Sequence, residues 1–354
     1  MRDMSSLHAK STSLSISRVS RLIFQLLHRH QRVDRPGPTD EEKSRVPCTL
    51  LDPCTTCFEA RHSKIERFIR NRETILFAIP AFPAKSPNRK KVLGALPDLG
   101  ELESLRFLQS ICDHVSHFYS PGARVTICSD GHVFGDVVGV TDSAATAYRQ
   151  GLAEIIKTAN LESLDIFGLD DAFGCNYYPR LREILERDYA VNLEEMRNSV
   201  RTDNATRSMF NGIHRFVYED TLANGENEGV SKTKLRNNSK ATTYQVMRRS
   251  DAWSRVIAET FPEAVRLSIH PQPPHSEKLG LQLMPTKDSW LTPWHSAVLD
   301  DGNKLHLTKR WVAEEVGASI VWRNGRPSHF VAPHLTINPL EKDHTCPDRH
   351  RSAS

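Results

Sequence analysis

The strongest constraint on the fold comes from residues 74–128, where an apolar strand, an amphipathic helix and a second apolar strand follow one another. The first strand is the largely apolar run 74–79, which Pro80 closes. Apolar residues then recur at steps of three and four between positions 102 and 118, the spacing of one face of a helix. The second strand is predicted at 123–128. This order of elements is typical of an α/β domain with a largely parallel sheet flanked by helices, whose ligands bind beyond the carboxyl ends of the strands.

The rest of the sequence divides into one dense domain and two polar ends. Residues 1–60 are predicted to be a poorly ordered N-terminal extension, and residues 333–354 a flexible polar tail. The domain itself covers residues 61–332. Within it, residues 160–215 are predicted to be mainly helical, and the polar, Gly- and Asn-containing segment 224–239 is predicted to be a mobile loop.

Local signals predict several further elements. Thr141 or Asp142 is a suitable N-cap for a second helix. A short helix at 251–261 is expected to lead into an alternating strand at 265–270. The dipeptide Asn324-Gly325 indicates a hairpin near the C-terminus.

Composition and charge exclude some classes of protein. About 25% of the 354 residues are charged and 38% are hydrophobic, as in an ordinary globular protein. A formal charge of +4 is too small to predict a nucleic-acid partner, which needs a clustered basic face. No apolar run approaches the roughly 20 residues needed to cross a bilayer, so no membrane partner is expected. The seven cysteines are an odd number in a sequence without a secretion signal, which favours reduced thiols and a cytoplasmic location.

The loop after the first strand carries the densest group of polar side chains. Its prolines reduce the conformational entropy that is lost when the loop becomes ordered. Ammonium, guanidinium, hydroxyl and amide donors in one loop suit a phosphate or a carboxylate. A solvated basic loop without a ligand is the alternative explanation. The candidate residues are Lys85, Ser86, Asn88 and Arg89.

A second candidate site follows the second strand, where Asp130 and His132 lie at a junction between strand and loop. A carboxylate at such a position can act as a general base or orient an amine. A simple Asp-Gly turn is the plainer explanation of the same residues.

The segment between two later strands contains His270, His275 and Lys278 among three prolines that restrict its geometry. Two histidines five residues apart can bind a metal, but no third ligand follows at a recognisable spacing. No metal is therefore expected here.

The segment 290–295 combines Trp290, Trp294 and His295. Two indoles and an imidazole suit an aromatic-walled pocket for an amino-acid side chain. A corner of the core with one buried histidine is the alternative.

Two other classes of enzyme lack their signatures in this sequence. Neither a P-loop nor a GxGxxG motif is present, so nucleotide hydrolysis and hydride transfer have no recognisable site. The motif Gly-x-Ser-x-Gly of α/β-hydrolases is also missing.

Taken together, these segments resemble the pyoverdine/dityrosine biosynthesis family. The resemblance extends in order over roughly residues 60 to 332, and several motifs at once are far more specific than any one alone. The matching stretches are FPAKSPN (82–88), KVLGALPDLGE (91–101), YSPGARVTICSDGHVFGDVVGV (119–140), RRS (248–250), FPEAVRLSIHPQPPHSEKLG (261–280) and WLTPWH (290–295).

The resemblance implies a Rossmann-like core and an isocyanide (isonitrile) synthase, which makes an isocyanide from a free amino acid with the carbon taken from ribulose 5-phosphate. It implies no metal or redox cofactor. A related branch of the family makes N-formyl-tyrosine for the dityrosine of spore walls. An oxygenase or a condensing enzyme of the same pathway is an expected downstream partner.

Ribulose 5-phosphate chemistry needs an anion site, acid/base groups and a carboxylate site, and the family motifs supply candidates for each. The expected catalytic residues are Lys85, Asp130, His270 and Lys278. The expected substrate-binding residues are Ser86, Asn88, Arg89, His132, Arg249, Arg266, His275, Trp290, Trp294 and His295.

Two positions depart from the family pattern. His132 stands where an arginine is expected, and Ser296 where a glycine is common. A change at His132 can alter the binding of an anion, because histidine is often neutral at pH 7.

Three alternatives therefore remain open: the N-formylating branch, a sugar-phosphate sensor without turnover, and a metal oxygenase that uses His270, His275 and His295. The sequence does not identify the amino acid, and valine, tyrosine and tryptophan are all compatible with it.

Overall fold

The computed structural model describes residues 4–32, 55–273 and 276–333. The predicted tail beyond residue 333 and His275 lie outside these residues. Within them the helices are α1 Met4–Arg29, α2 Thr55–Asn71, α3 Leu99–Ser116, α4 Gly131–Phe134, α5 Asp142–Thr158, α6 Leu169–Phe173, α7 Tyr178–Tyr189, α8 Leu193–Thr202, α9 Asn204–Ala223, α10 Lys232–Thr260 and α11 Arg310–Glu315. The strands are β1 Ile75–Pro80, β2 Ala123–Cys128, β3 Leu164–Phe167, β4 Val265–Ser268, β5 Leu279–Gly280, β6 Ala297–Asp300, β7 Leu305–Thr308, β8 Ser319–Arg323 and β9 Arg326–Val331.

A five-stranded parallel sheet in the order β3-β2-β1-β4-β5 forms the centre of the fold. β1 and β2 each pair with a strand on both sides and are mostly buried, which explains why each is a nearly continuous apolar run instead of an alternating one. The main core packs on this sheet and includes Ile75, Phe77, Val125 and Ile127, all fully buried. The prediction of an α/β, Rossmann-like fold with helices flanking a parallel sheet is confirmed.

A second sheet of four strands, in the order β7-β6-β9-β8, follows in the C-terminal part of the domain. β8 and β9 form the hairpin that Asn324-Gly325 predicts. Both residues have positive φ angles, 51° and 72°, as a two-residue hairpin turn requires.

The N-terminal extension differs from its prediction. α1 is helical, and Ile23, Phe24 and Leu27 are fully buried in the main core. The chain then runs antiparallel to residues 280–282 at the β5 edge of the sheet: His30 O accepts from Gln282 N at 3.0 Å, and Arg32 N donates to Gly280 O at 2.8 Å. Residues 16–32 therefore belong to the folded domain, because the apolar face of α1 completes its core.

Three predictions for the helical part of the chain differ from the structure in detail. The predicted loop 224–239 contains a short 3-10 helix, Gly225–Asn227, and ends at Ser231, which caps α10 by accepting from Lys234 N. Residues 232–239 and the short helix predicted at 251–261 are the two ends of that single helix. The mainly helical segment 160–215 also contains a strand, β3. The cap of α5 was predicted correctly, since the side chain of Thr141 accepts from Ala144 N.

None of the helices in the described part of the chain combines the length and the apolar character needed to span a membrane.

Candidate active site

A cavity of about 780 Å³ lies beyond the carboxyl ends of β1, β2 and β4. The loops that follow these strands contribute residues from 83–88, 130–140 and 269–270. The other walls come from 213–227, which includes the second half of α9, from Thr242, Val246 and Ser250 of α10, and from the segment 290–295. Chain order reverses between β1 and β4, and doubly wound α/β proteins bind ligands at that point of the sheet. The fold therefore places a ligand site here.

The structure brings many of the predicted site residues to this cavity and leaves others away from its lining. His275 lies outside the described residues. The predicted residues that line the cavity are Lys85, Ser86, Asn88, Asp130, His270, Trp290, Trp294 and His295, and those that do not are Arg89, His132, Arg249, Arg266 and Lys278.

Lys85 is surrounded by protein acceptors. Its side chain is 0% exposed, and its ammonium lies 2.8 Å from Asp98, 2.8 Å from Glu101 and 3.0 Å from the carbonyl oxygen of Pro293. Burial by itself would lower the pKa of Lys85, but the two carboxylates raise it above its usual value. All three N–H donors are thus engaged. This differs from the expected role as a phosphate ligand, because the ammonium has no donor left in this conformation.

The partners of Lys85 form a capping box at the start of α3. Gly100 N donates to Asp98 Oδ1 at 2.9 Å, and Asp98 N donates to Glu101 Oε2 at 2.9 Å. The hydroxyl of Tyr148 donates to the other Glu101 oxygen at 2.9 Å. Burial raises the pKa of Asp98 to about 7, although Lys85 opposes this shift. The cluster therefore places two buried carboxylates around one ammonium.

A second buried lysine connects the same loop to α9. Lys91 Nζ lies 2.5 Å from Asp220, 3.1 Å from Glu219 and 3.1 Å from the carbonyl oxygen of Phe216, to which it donates a hydrogen bond. Ser86 Oγ donates to Asp220 at 3.2 Å. These contacts hold α9 against the loop. The ammonium of Lys91 is therefore paired with the carboxylates of Glu219 and Asp220.

Asp130 has a different environment. It ends the turn after β2, and its Oδ1 is buried without a hydrogen-bond partner among the described residues. Burial raises the pKa of its carboxyl to about 7. A carboxyl group with this pKa can both accept and return a proton near neutral pH, which is the property that a general base needs.

His270, Thr292 and His295 also line the cavity. Nδ1 of each imidazole and Oγ1 of Thr292 are buried and have no hydrogen-bond partner among the described residues. Burial lowers the pKa of both imidazoles to about 3, and for His295 the charge of Lys91 adds to this shift. Both rings are therefore neutral at physiological pH. Their free nitrogens and the Thr292 hydroxyl can exchange hydrogen bonds with a ligand.

Aromatic and apolar side chains form the remaining wall. Trp290 lies 5.3 Å from the His270 ring, Phe216 lies 5.1 Å from the His295 ring, and Trp294 packs on Phe82. This wall suits the side chain of an apolar or aromatic ligand.

Arg249 and His132 hold the loop after β2 through contacts with other parts of the protein and do not line the cavity. Arg249 lies 2.6 Å from Asp136 and 2.5 Å from Glu186, which ties the short 3-10 helix Gly135–Val138 to α7. His132 bonds Thr146 Oγ1 at 2.9 Å and stacks on Tyr178. Burial lowers the pKa of His132. In this structure both side chains contact protein and not the cavity.

Arg266 and Lys278 face α10 instead of the cavity. Ser254 Oγ accepts from Arg266 at 3.0 Å and from Lys278 at 2.7 Å. Arg89 is exposed. These three cations therefore differ from their expected positions at the substrate.

Sequence reasoning missed several residues at the site. The pattern Asp98-x-x-Glu101 is a readable capping signal, but its second role as the counter-charge of Lys85 has no local signal. For Asp220 on α9, no local sequence signal indicates that it pairs with Lys91. Arg32, from the predicted extension, is buried and donates to the carbonyl oxygen of Ile269 at 2.8 Å, next to His270.

Within the described residues, no three His, Cys, Asp or Glu side chains form a group that could hold a metal ion.

Comparisons with known proteins agree with this architecture. The family model described as pyoverdine/dityrosine biosynthesis protein matches residues 65–320. An L-tryptophan isonitrile synthase, AmbI2, of Fischerella ambigua is 42% identical over 323 residues, which are 91% of this chain and 94% of that protein. An L-tyrosine isonitrile synthase of Pseudomonas aeruginosa is 42% identical over 274 residues, 76% of this chain and 83% of that protein. The crystal structure of the PvcA protein from Pseudomonas aeruginosa superposes with a TM-score of 0.81 at 36% identity and covers 88% of this chain and 99% of that one. The chain therefore belongs to the pyoverdine/dityrosine biosynthesis family.

Proposed function

We propose that this protein is an isonitrile synthase that converts the α-amino group of a free L-amino acid into an isonitrile, with ribulose 5-phosphate as the carbon donor. One observation carries the proposal: a single cavity at the ligand-binding edge of the sheet combines a carboxyl group with a pKa of about 7 and an aromatic wall. The names of the relatives support the reaction class.

The amino acid is an aromatic one, and L-tryptophan is the first candidate. The relatives named above are an L-tryptophan and an L-tyrosine isonitrile synthase. The cavity has an apolar part formed by Ile213, Phe216, Val217, Val246 and Trp290. Such a wall suits a planar side chain, because ring-to-ring contacts add to the burial of apolar area.

Asp130 is the proposed base. It accepts a proton from the substrate ammonium, and the free amine then attacks the ketone carbon of the sugar phosphate. Loss of water gives an imine. Cleavage of the C1–C2 and C2–C3 bonds of the sugar phosphate then releases a one-carbon fragment and a three-carbon phosphate fragment. The electron pair of one bond stays on the former ketone carbon as the lone pair of the isonitrile, and the pair of the other bond leaves with its fragment, which takes up a proton. His270, Thr292 and His295 hold the reacting groups through their free nitrogens and hydroxyl.

The phosphate group is proposed to lie near Asn88, which lines the cavity and, among the described residues, uses only one of its two amide N–H donors, to the carbonyl oxygen of Glu219. The hydroxyl of Ser86 donates to Asp220, and its oxygen accepts from Asn88 N. Lys85 holds the loop that carries these two residues and stays paired with Asp98 and Glu101. The reaction is proposed to be metal-independent, and an oxygenase or a condensing enzyme of the same pathway would use the product.

The test is mass spectrometry of the purified protein with pooled L-amino acids and ribulose 5-phosphate labelled at C2. Samples are kept neutral and trapped with a tetrazine, since acid converts isonitriles to formamides. A labelled trapped isonitrile that also forms in the presence of a chelator supports the proposal and identifies the amino acid. A labelled formamide without isonitrile would favour the N-formylating branch. Binding of the sugar phosphate without any product would favour a sensor.

A further inference from the structure

Trp290 lies directly against a glycine of α9. A β-carbon built on Gly212 would overlap the six-membered ring of the indole, at Cη2, Cζ3 and, 2.5 Å away, Cε2. Real β-carbons do not approach neighbouring atoms this closely. The indole therefore occupies space that is available only because residue 212 has no side chain.

The backbone of Trp290 is attached to the same helix. Its N–H donates to Asp288 at 3.0 Å, and Asp288 in turn pairs with Arg215 at 2.9 Å, one turn along α9 from Gly212. The segment that carries the indole is thus anchored to α9. A side chain at position 212 would displace the ring and not the segment.

The indole also contacts the cavity. Its ring centroid lies 5.3 Å from that of His270, and both residues line the cavity. The next residues of α9 that line the cavity, Ile213, Phe216 and Val217, form the adjoining apolar wall. A ring that moves away from α9 therefore enters the space between this wall and His270.

We propose that Gly212 is a positioning residue that sets the width of the cavity and so determines which amino-acid side chains it admits. With glycine, the indole of Trp290 lies directly against residue 212 and leaves room for a large aromatic substrate. With any side chain at this position, the indole would fill part of that room and favour smaller substrates. This inference rests on the proposed function and names the determinant of its substrate size.

The test compares kcat/KM for L-tryptophan and L-phenylalanine in Gly212→Ala and in the unchanged protein. The ratio of the two values should fall about tenfold or more in the variant, since small differences of size in an apolar pocket change specificity on this scale. Alanine favours a helix more than glycine does, so loss of α9 is not the expected cause. Gly94→Ala is the matched control, because a β-carbon there meets nothing within 4 Å and residue 94 does not line the cavity.

Rescue provides the second readout. The double variant Gly212→Ala with Trp290→Phe removes part of the clashing ring and should recover most of the lost tryptophan preference. Equal losses for both amino acids in Gly212→Ala, or no recovery in the double variant, would overturn the inference. If Gly212→Ala does not fold, Trp290→Phe alone should raise the relative rate with ring-substituted tryptophans, and an unchanged relative rate would overturn it.

The outcome also separates the inference from the proposed function. An unchanged protein that makes no isonitrile from any amino acid contradicts the proposed function. An unchanged protein that makes isonitrile, with a substrate preference that Gly212→Ala leaves unaltered, contradicts only the role of Gly212.

Discussion

The cavity has two polar walls of opposite character. In the paired wall, Lys85 and Asp220 line the cavity, and their partners Lys91, Asp98 and Glu101 lie outside its lining. Each ammonium there lies between carboxylates and carbonyl oxygens of the protein. In the unpaired wall, formed by Asp130, His270, Thr292 and His295, each side chain has a buried polar atom without a partner among the described residues.

The two walls therefore differ in function: the side chains of the paired wall stabilise the fold, and those of the unpaired wall are available to bind a ligand. Removing one partner of a buried ion pair leaves an uncompensated charge and is strongly destabilising. A buried polar atom without a partner already costs stability in the folded state. At the cavity, a bound substrate can supply the missing hydrogen bonds. The comparison therefore predicts that mutations in the paired wall change stability, and mutations in the unpaired wall change activity.

The largest effect on stability is expected for Lys85→Met. Without the ammonium, Asp98 and Glu101 are two buried carboxylates with no counter-charge, and the free energy of unfolding should fall by about 3–5 kcal/mol. Chemical denaturation measures this. Lys90→Met, an exposed lysine in the same loop, is the matched control and should change stability by less than about 0.5 kcal/mol. A Lys85→Met protein of normal stability would remove the basis of the comparison.

The largest effect on activity is expected for Asp130→Asn. Loss of the base should lower kcat about a hundredfold, and stability should not fall because Oδ1 has no partner to lose. Steady-state kinetics test the expected fall in kcat, and a denaturation curve on the same sample tests the expected stability. A variant with normal kcat would mean that Asp130 is not the base.

The pH dependence sharpens the assignment of Asp130. Its pKa of about 7 is above the ordinary value of 3.8, so the folded protein binds more protons than the unfolded chain between these values. The free energy of unfolding should therefore fall as pH rises from about 4 to about 7, and Asp130→Asn should flatten this slope. Activity should have its acid limb near pH 7, since the base must be ionised. The histidines, with pKa values of about 3, should not contribute to that limb.

A smaller effect of mixed sign is expected for His270→Phe. Replacing a ring whose Nδ1 has no partner by an apolar ring should leave stability unchanged or raise it by about 1 kcal/mol. Activity should nevertheless fall, because the substrate loses a hydrogen bond. Thermal unfolding and kcat/KM, measured on the same variant, test whether activity falls while stability does not. A variant that is both less stable and fully active would show that His270 stabilises the fold and does not bind the substrate.

The smallest effect is expected for Arg89→Ala. Its side chain is exposed and does not line the cavity, so stability should change by less than about 0.5 kcal/mol. The KM for ribulose 5-phosphate should stay close to that of the unchanged protein. A large rise in KM would restore Arg89 as a ligand of the phosphate.

The sequence predicts the elements whose signal is local. β1 and β2 are apolar runs bounded by prolines or a turn, Thr141 is a cap, and Asn324-Gly325 is a hairpin turn. β3 was missed because its four residues, LDIF, lie between helical stretches and have too short a pattern.

Errors arise where tertiary contacts decide the structure. Residues 232–239 have a polar composition that favours a loop, yet Leu235, Ser239 and Thr243 face the core and continue α10. The apolar face of α1 is visible in the sequence, but nothing there indicates that it packs on the main core. At the site, the positions of Lys85 and Asp130 in loops were predicted from the sequence. The partners of Lys85, Asp98 and Glu101, come from a different segment, and their pairing with Lys85 could not be predicted.

The pairing of residues 30–32 with residues 280–282 has a consequence for synthesis of the protein. An uncovered sheet edge offers its backbone groups to other chains, and here the N-terminal segment covers that edge. The covering segment leaves the ribosome first, whereas its partner emerges near the end of the domain. At roughly 5–20 residues per second, the N-terminal segment waits on the order of ten seconds or more for its partner. During that interval the backbone groups of residues 30–32 are without their partners, and chaperones that bind nascent chains have their greatest opportunity to act.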